Sequence, residues 1–224
     1  MSHQHIPGMP EHEAEPIPGL PAPLPEGEGI LWQGSPSWWP FSLRAMHLKG
    51  LGFYFGLIIV WHVADVMTSG GGVSGGAGAL VMSLALGLAC LGLLALIGRA
   101  MARATIYTIT NRRVVMRVGV ALPMTINLPF TAVQSAAVKR QSDGTEDIVL
   151  ELMPEHRVSF IAAWPHLRPW RLGRTAPMLR GLPVTAGASQ VLARALAASA
   201  AQPVGGVEQA RESTPVRFPG AAVA

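Results

Sequence analysis

Residues 77–98 read AGALVMSLALGLACLGLLALIG, 22 positions without one charged side chain. At about 1.5 Å of rise per residue, a helix of that length covers roughly 33 Å, enough to cross a hydrocarbon layer of roughly 30 Å. A helix resting on a soluble core keeps a polar face, so a stretch that is apolar all round predicts burial in lipid or among other helices. Residues 47–68, HLKGLGFYFGLIIVWHVADVMT, are of the same length and nearly as apolar. Trp38 and Trp39 stand just before this stretch and Trp61 near its far end, which suits the preference of tryptophan for a membrane interface. The connector TSGGGVSGG is short, uncharged and rich in glycine. It is no phosphate loop, since no Gly-Lys-Ser/Thr follows. The expectation is a hairpin of two transmembrane helices over residues 47–98.

Arg44 and Lys49 precede the first stretch, Arg99 and Arg103 follow the second, and the connector carries no Lys or Arg. Basic residues gather on the cytoplasmic side, so the pattern predicts a multi-pass protein of the inner (cytoplasmic or intracytoplasmic) membrane with both termini in the cytoplasm. Gly52 and Gly56 form a GxxxG, which lets backbones approach closely, either within the hairpin or between two copies of the chain. His62 and Asp65 are three residues apart on one helix face, as a proton-handling pair or as polar residues reaching the interface.

Half of the 224 residues are hydrophobic and only 13% are charged, which is too apolar for an average soluble domain and too short for a many-helix transporter. The single cysteine, Cys90, lies in the second apolar stretch, so no intramolecular disulfide framework and no cysteine zinc site is available. Residues 1–28 carry five Glu and no Lys or Arg, are rich in Pro, and lack the apolar surface that offsets the entropy of ordering; they predict a disordered acidic leader. This leader does not have the basic-then-apolar pattern of a cleaved signal, and its His3, His5 and His12 have no rigid frame for a metal. Residues 29–46 read as a membrane-proximal segment, and 201–224 as a disordered tail.

Residues 104–200 change character. Short β-branched runs at 105–110, 114–118, 125–128, 133–138, 147–152 and 158–161 are of strand length, punctuated by turn residues such as Asn111 and Asp143-Gly144. They predict an antiparallel sheet or small barrel. Val191, Leu192, Ala195 and Leu196 recur at helical spacing and predict a helix over 188–199 able to cover an open end of it. Eleven basic against five acidic residues in this region favour anionic lipid or an acidic partner. Nucleic acid is not indicated, since the basic residues are scattered and no zinc-finger spacing, aromatic RNA motif or basic helix is present.

No nucleophile elbow, metal-ligand pair or nucleotide-binding turn appears, so the sequence predicts no catalytic residue, no metal and no cofactor. The segment 164–180, WPHLRPWRLGRTAPMLR, is the most suggestive of contact: Arg168, Arg171, Arg174 and Arg180 interleave with Trp164 and Trp170, and its prolines prevent a regular helix over most of it. Arg and Trp dominate binding hot spots, so these six are the candidate partner-binding residues, for protein or lipid headgroup. The structural alternative is a strap whose tryptophans fill the barrel.

The stretch Tyr107-Thr-Ile-Thr-Asn-Arg-Arg113, followed by a strand ending at Arg117 and Gly119, is similar to the opening hairpin of bacterial pleckstrin-homology-like domains. More specifically, Leu24-Pro25-Glu26-Gly27-Glu28, Leu31-Trp32-Gln33-Gly34-Ser35-Pro36, residues 107–122, Asn127-Leu128-Pro129-Phe130, Arg168-Pro169-Trp170 and Pro177-Met178-Leu179-Arg180, in this order, resemble the PuhB-like photosynthetic-complex assembly proteins of purple bacteria. The resemblance covers residues 24–198. It implies a pleckstrin-homology-like barrel capped by a C-terminal helix over residues 104–200. It also implies a membrane-bound, non-catalytic factor that helps build the photosynthetic reaction centre and its core light-harvesting complex. Self-association as a homodimer, membrane lipid, and contact with reaction-centre and light-harvesting 1 polypeptides belong to the same expectation. A function of another class, a general membrane module binding anionic lipid or an envelope-stress partner, fits the same basic domain.

Overall fold

The computed structural model describes residues 18–168 and 175–201. Its core lies between two antiparallel sheets. The first contains β1 (Ile30–Gly34), β2 (Ile106–Thr110), β3 (Arg113–Val118) and β4 (Met124–Pro129), in that spatial order. The second contains β5 (Val133–Arg140), β6 (Thr145–Leu152) and β7 (Met178–Pro183). Alternation along the strands puts Tyr107, Ile109, Val114 and Met116 of one sheet against Ile148, Leu150, Leu179 and Leu182 of the other, all fully buried. A single turn, α4 (Phe160–Ala163), lies between β6 and β7, and α5 (Ala188–Ala201) lays Ala188, Leu192 and Ala195 onto the same core.

β1 comes from the far side of the apolar stretches. Its register against β2 pairs Trp32 with Ile109 and Gly34 with Tyr107. The Trp32 indole N–H donates to the Ala186 carbonyl at 2.9 Å, tying this edge strand to the turn that leads into α5. Between β1 and β2 the chain forms α1 (Trp38–Ala45), α2 (Leu48–Val66) and α3 (Gly72–Ala104).

The expected pair of transmembrane helices followed by a closed barrel is corrected on both counts. Leu48 to Ala104 form one 57-residue helical run, long and apolar enough to cross a membrane. The glycine-rich connector does not become a loop. Met67–Gly71 form a π-type turn in which Ser69 and Gly70 leave helical angles, and the run folds back there, laying α2 along α3. Glycine supplies the positive φ of this reversal, 98° at Gly70 and 56° at Gly72, at no steric cost. The barrel does not close because the 3₁₀ turn Phe130–Ala132 carries the chain from one sheet to the other, and no ladder joins β4 to β5 or β1 to β7. The 158–161 run is not a strand but leads into α4, while β7 occupies part of the segment expected to be a strap.

Glycines of α3 set how the helices meet. Gly76, Gly87 and Gly98 are buried and spaced by eleven residues, close to three full helical turns, so they fall on one face. Gly76 lies under Val63 and Met67, and Gly87 under Phe55 and Ile59 of α2. Gly98 is the tightest, because a Cβ there would stand 2.8 Å from Ser42 Cβ and 3.0 Å from Ser42 Cα on α1. Most other large side chains of the run, including Phe53, Val60, Trp61, Leu86 and Leu96, are exposed.

Gly98→Ala is therefore expected to force α1 off α3 and to destabilise the detergent-solubilised protein by about 1–3 kcal/mol. Gly92→Ala, where a Cβ meets nothing within 4 Å, is expected to be neutral or stabilising. Thermal unfolding followed by circular dichroism compares the two, and equal Tm values would show that the Ser42 contact is not tight.

Candidate functional site

The sequence places α1 where the apolar run meets the sheets, and its two turns present different faces to each. Ser42 faces α3 and donates its hydroxyl to the Trp38 carbonyl at 2.7 Å, which keeps that polar group satisfied at the tight contact. Phe41 faces the second sheet, fully buried, with its ring stacked on His166 at a centroid distance of 5.2 Å. The close approach needs Gly181, which has φ +64 and Phe41 Cβ 3.6 Å from where its own Cβ would stand. The Ser37 N–H donates to the Gly181 carbonyl at 2.8 Å, so α1 is pinned to β7 at its start.

Arg44, in the last turn of α1, completes the joint. Its guanidinium donates to Asp143 Oδ2 at 2.8 Å and to Thr145 Oγ1 at 2.8 Å, and lies 3.6 Å from Asp147 Oδ1. Burial works upward on the Asp143 carboxyl, but hydrogen bonds from the Thr145 hydroxyl and N–H, with the Arg44 charge, outweigh it and hold the pKa below the usual range. Asp147, nearly buried, accepts from Gly181 N–H and from Gln141 Nε2, each at 2.8 Å. One carboxylate thus ties together β5–β6, β7 and the helix that leads into the apolar run.

Behind it lies a closed polar chain. Thr105 donates its hydroxyl to the Met101 carbonyl at 2.7 Å and so accepts from His166 Nε2 at 3.2 Å. His166 Nδ1 is then the acceptor for the Tyr107 hydroxyl at 2.6 Å, and the Tyr107 oxygen accepts the Arg180 N–H at 3.2 Å. This assigns a neutral imidazole protonated on Nε2. Burial, reinforced by the Arg180 charge, pushes the His166 pKa down to about 3, and burial drives the Tyr107 phenol up. Burial also lowers the Arg180 pKa, opposed by the Asp147 carboxylate; the Arg180 guanidinium donates to the Leu167 carbonyl at 2.9 Å. Both ring nitrogens of His166 are engaged and the ring is buried, so this chain holds structure together and presents no general base to a cavity. Among the described residues no three His, Cys, Asp or Glu side chains converge as a metal site.

The residues singled out from the sequence separate. Arg180 is buried in β7 beside the joint, Arg168 is half exposed and paired with Glu151 at 3.3 Å, and Trp164 is exposed at 48%. Trp170, Arg171 and Arg174 lie outside the described residues. A Cβ on Gly52 would meet Leu91 of α3 at 3.9 Å and Gly56 faces open space, while Gly76 of α3 makes the tightest approach between the arms. His62 Nδ1 pairs with Ser83 Oγ at 2.8 Å across the arms.

The Tyr107–Arg113 motif has a structural task. Its turn is closed by Thr110 Oγ1, which donates to the Arg113 carbonyl at 3.1 Å and accepts the backbone N–H of Arg112 at 3.1 Å and of Arg113 at 3.0 Å. Asn111 clasps the segment before β1, donating to the Gly27 carbonyl at 2.8 Å and accepting the Gly29 N–H at 3.1 Å. Arg113 Nε donates to Glu28 Oε1 at 2.7 Å. These bonds bring Gly27-Glu28 against the Asn-Arg-Arg turn across sequence separations of 82 to 85 residues, a pairing that only charge complementarity between Glu28 and Arg113 signals in the sequence.

Two antiparallel sheets with a helix on their core, joined by α1 to an apolar helical run, define a pleckstrin-homology-like fold, and residues 54–164 match the bacterial PH domain family. The match begins inside α2, so it takes in part of the helical run as well as the sheets. The chain is 36% identical over 196 residues, 86% of this chain and 91% of the relative, to an "uncharacterized 23.7 kDa protein in puhA 5′region" of Rhodobacter capsulatus, and it belongs to the family of that protein. A crystal structure of a DUF1696 family protein with a pleckstrin-homology domain from Shewanella loihica shares 14% identity and covers 40% of this chain and 68% of that one, at a TM-score of 0.26, too slight a likeness to bear on the fold.

A buried neutral histidine makes stability depend on pH with a definite sign. The unfolded chain takes up a proton near pH 6.5 and the folded one near 3, so stability is complete above about pH 6.5 and falls as the pH drops towards 3. Relative to His166→Gln, the wild type is expected to lose roughly 1.4 kcal/mol per pH unit across that window. Denaturant titrations of both proteins from pH 7 to pH 4 measure this; parallel pH profiles would mean that His166 is not held neutral.

Proposed function

We propose that this protein is a non-catalytic, membrane-bound assembly factor for the photosynthetic reaction centre and its core light-harvesting complex, acting by holding their polypeptides during assembly. The observation that carries the reading is the relative of 36% identity over nearly its whole length, encoded beside the puhA photosynthesis locus. The resemblance of the 24–198 motifs to photosynthetic assembly proteins supports the same reading.

The architecture supports membrane anchorage. A helical run with so much exposed apolar surface is a surface for lipid and for the helices of newly inserted partners. Arg44, Lys49, Arg99 and Arg103 all lie towards the end of the run that meets the sheets, and the positive-inside preference supports a PH domain on the cytoplasmic side of the inner membrane. The β3–β4 turn lies at that same end, because Arg117 pairs with Ile106, two residues past the end of α3. Its Val120, Leu122 and Met124 are exposed, as apolar residues at a lipid surface are. Contact with reaction-centre and light-harvesting 1 polypeptides, and pairing of two copies, belong to the proposal. Trp164, exposed beside α4, is the described aromatic best placed for such a contact.

Deleting the gene is expected to lower the reaction-centre content of photosynthetically grown cells several-fold, restored by the gene in trans. A mild-detergent pull-down of the tagged full-length protein is expected to enrich reaction-centre subunits. Unchanged reaction-centre content and assembly rate after deletion would refute the assignment.

A further inference from the structure

Between α5, the start of β1 and the turn joining β2 to β3 lies a groove of about 560 Å³. Leu31 of β1 and Val191, Ala195 and Ala198 of α5 give it apolar walls, and Arg112 of the turn and Arg194 of α5 add two positive charges. Its lining holds no acidic residue. Leu31 is 49% exposed, so a leucine faces this space with nothing over it.

The two arginines are exposed, and neither makes an ion pair among the described residues. Arg194 Nε reaches the Gln190 carbonyl of its own helix at 3.4 Å, while Arg113, next to Arg112, is held by Glu28 at 2.7 Å. Guanidinium groups favour carboxylates, with which they pair in a fixed fork geometry. Apolar walls between two such groups suit a short acidic stretch of polypeptide.

The chain carries a stretch of this kind. Residues 1–17, before the first described residue, contain Glu11, Glu13 and Glu15 and no Lys or Arg. Alternate positions fall on one side of an extended chain, and Pro16 biases the residue before it towards extended backbone. The starting point of the segment is fixed at β1, because the Pro18 carbonyl accepts from Gln33 Nε2 at 2.8 Å. Leu31 lies two residues before Gln33, roughly 7 Å along the strand, and a stretch such as 11–17 spans up to roughly 23 Å when extended. The three glutamates therefore reach the groove. Residues 202–224 leave α5 beside it as well, but there Glu208 and Glu212 are balanced by Arg211 and Arg217.

We propose that the acidic N-terminal segment folds back into this groove, its glutamates pairing with Arg112 and Arg194. Exposed ion pairs are weak singly, and the short tether to Pro18 supplies the local concentration at which a few of them suffice. The segment then covers Leu31 and closes the space between α5 and β1, so that another acidic polypeptide enters only when the chain's own N-terminus leaves. The inference holds whether or not the assembly reading does.

The test is pulsed electron resonance on the full-length protein in a non-ionic detergent, with spin labels at Ala14→Cys and at Ala197→Cys, an exposed position of α5 outside the groove lining, in a Cys90→Ala background. A narrow distance distribution is expected. Arg112→Glu with Arg194→Glu is expected to broaden it at least twofold, as is raising the salt from about 0.05 to about 0.5 M. Adding Glu11→Lys, Glu13→Lys and Glu15→Lys to the two arginine reversals is expected to narrow it again. Lys139→Glu with Arg140→Glu, the same charge change away from the groove, is expected to leave it unaltered. A broad distribution in the unreversed protein, equal broadening by the two pairs of reversals, or failure of the swapped charges to restore it would overturn the proposal. So would loss of the short distance on dilution with unlabelled protein, which would put the segment on a second copy, or its shortening on removal of residues 203–224, which would make the C-terminal segment the occupant.

Discussion

Phe41 and Arg44 sit one turn apart on α1 and face the second sheet, while Ser42 faces α3, and this division of labour on a two-turn helix joins the apolar run to the sheets. A connection of this kind is normally a flexible linker. Here it is restrained at three levels: a backbone hydrogen bond from Ser37 to Gly181, an aromatic stack of Phe41 on His166, and Arg44 bridging Asp143, Thr145 and Asp147. The other anchor is covalent, since α3 leads through Thr105 into β2, and Thr105 shares His166 with Tyr107. The two ends of the run therefore converge on the same histidine. Its neutrality follows from its burial, and its burial follows from Phe41 covering it.

The local periodicities of the fold were legible, and the long-range pairings were not. Runs of β-branched residues marked β2 to β6, and helical spacing of Val191, Leu192, Ala195 and Leu196 marked α5. β7 stayed hidden because its pattern is broken: Arg180 is charged yet buried against Asp147, and Gly181 takes a left-handed conformation that lets Phe41 approach. β1 was hidden for another reason, its partner β2 lying beyond the whole apolar run, so that nothing local distinguishes it from a membrane-proximal linker. The glycine-rich connector reads as a loop because glycine favours one, yet it forms a π-type turn in which Ser69 and Gly70 leave helical angles. Closure of a barrel depends on whether edge strands meet, and no alternation pattern encodes that.

For the candidate site the outcome is similar. Composition alone points to Arg180 and Arg168, and the structure gives them different work, one inside the joint and one paired with Glu151. In the sequence Arg44 reads as a topological charge only, although it bridges helix and sheet through Asp143, Thr145 and Asp147. His166 had no motif around it, and its role appears once Phe41, Thr105 and Tyr107 are brought round it from three other parts of the chain. The sequence offers Gly52 and Gly56 as a small-residue face, and the buried glycines within the run lie on α3, where the eleven-residue spacing of Gly76, Gly87 and Gly98 is visible once a period longer than four is considered.

A domain held in a set orientation on an apolar run presents its β3–β4 turn and Trp164 at defined positions relative to that run and to anything beside it. Rigidity at α1 is thus the central claim. It is tested most directly by pulsed electron resonance between spin labels at Gln134→Cys on β5 and Leu86→Cys on α3, in a Cys90→Ala background, with and without Phe41→Ala. A narrow distance distribution that broadens when Phe41 is truncated is the expected result, whereas a broad distribution in the protein with Phe41 intact would contradict the account.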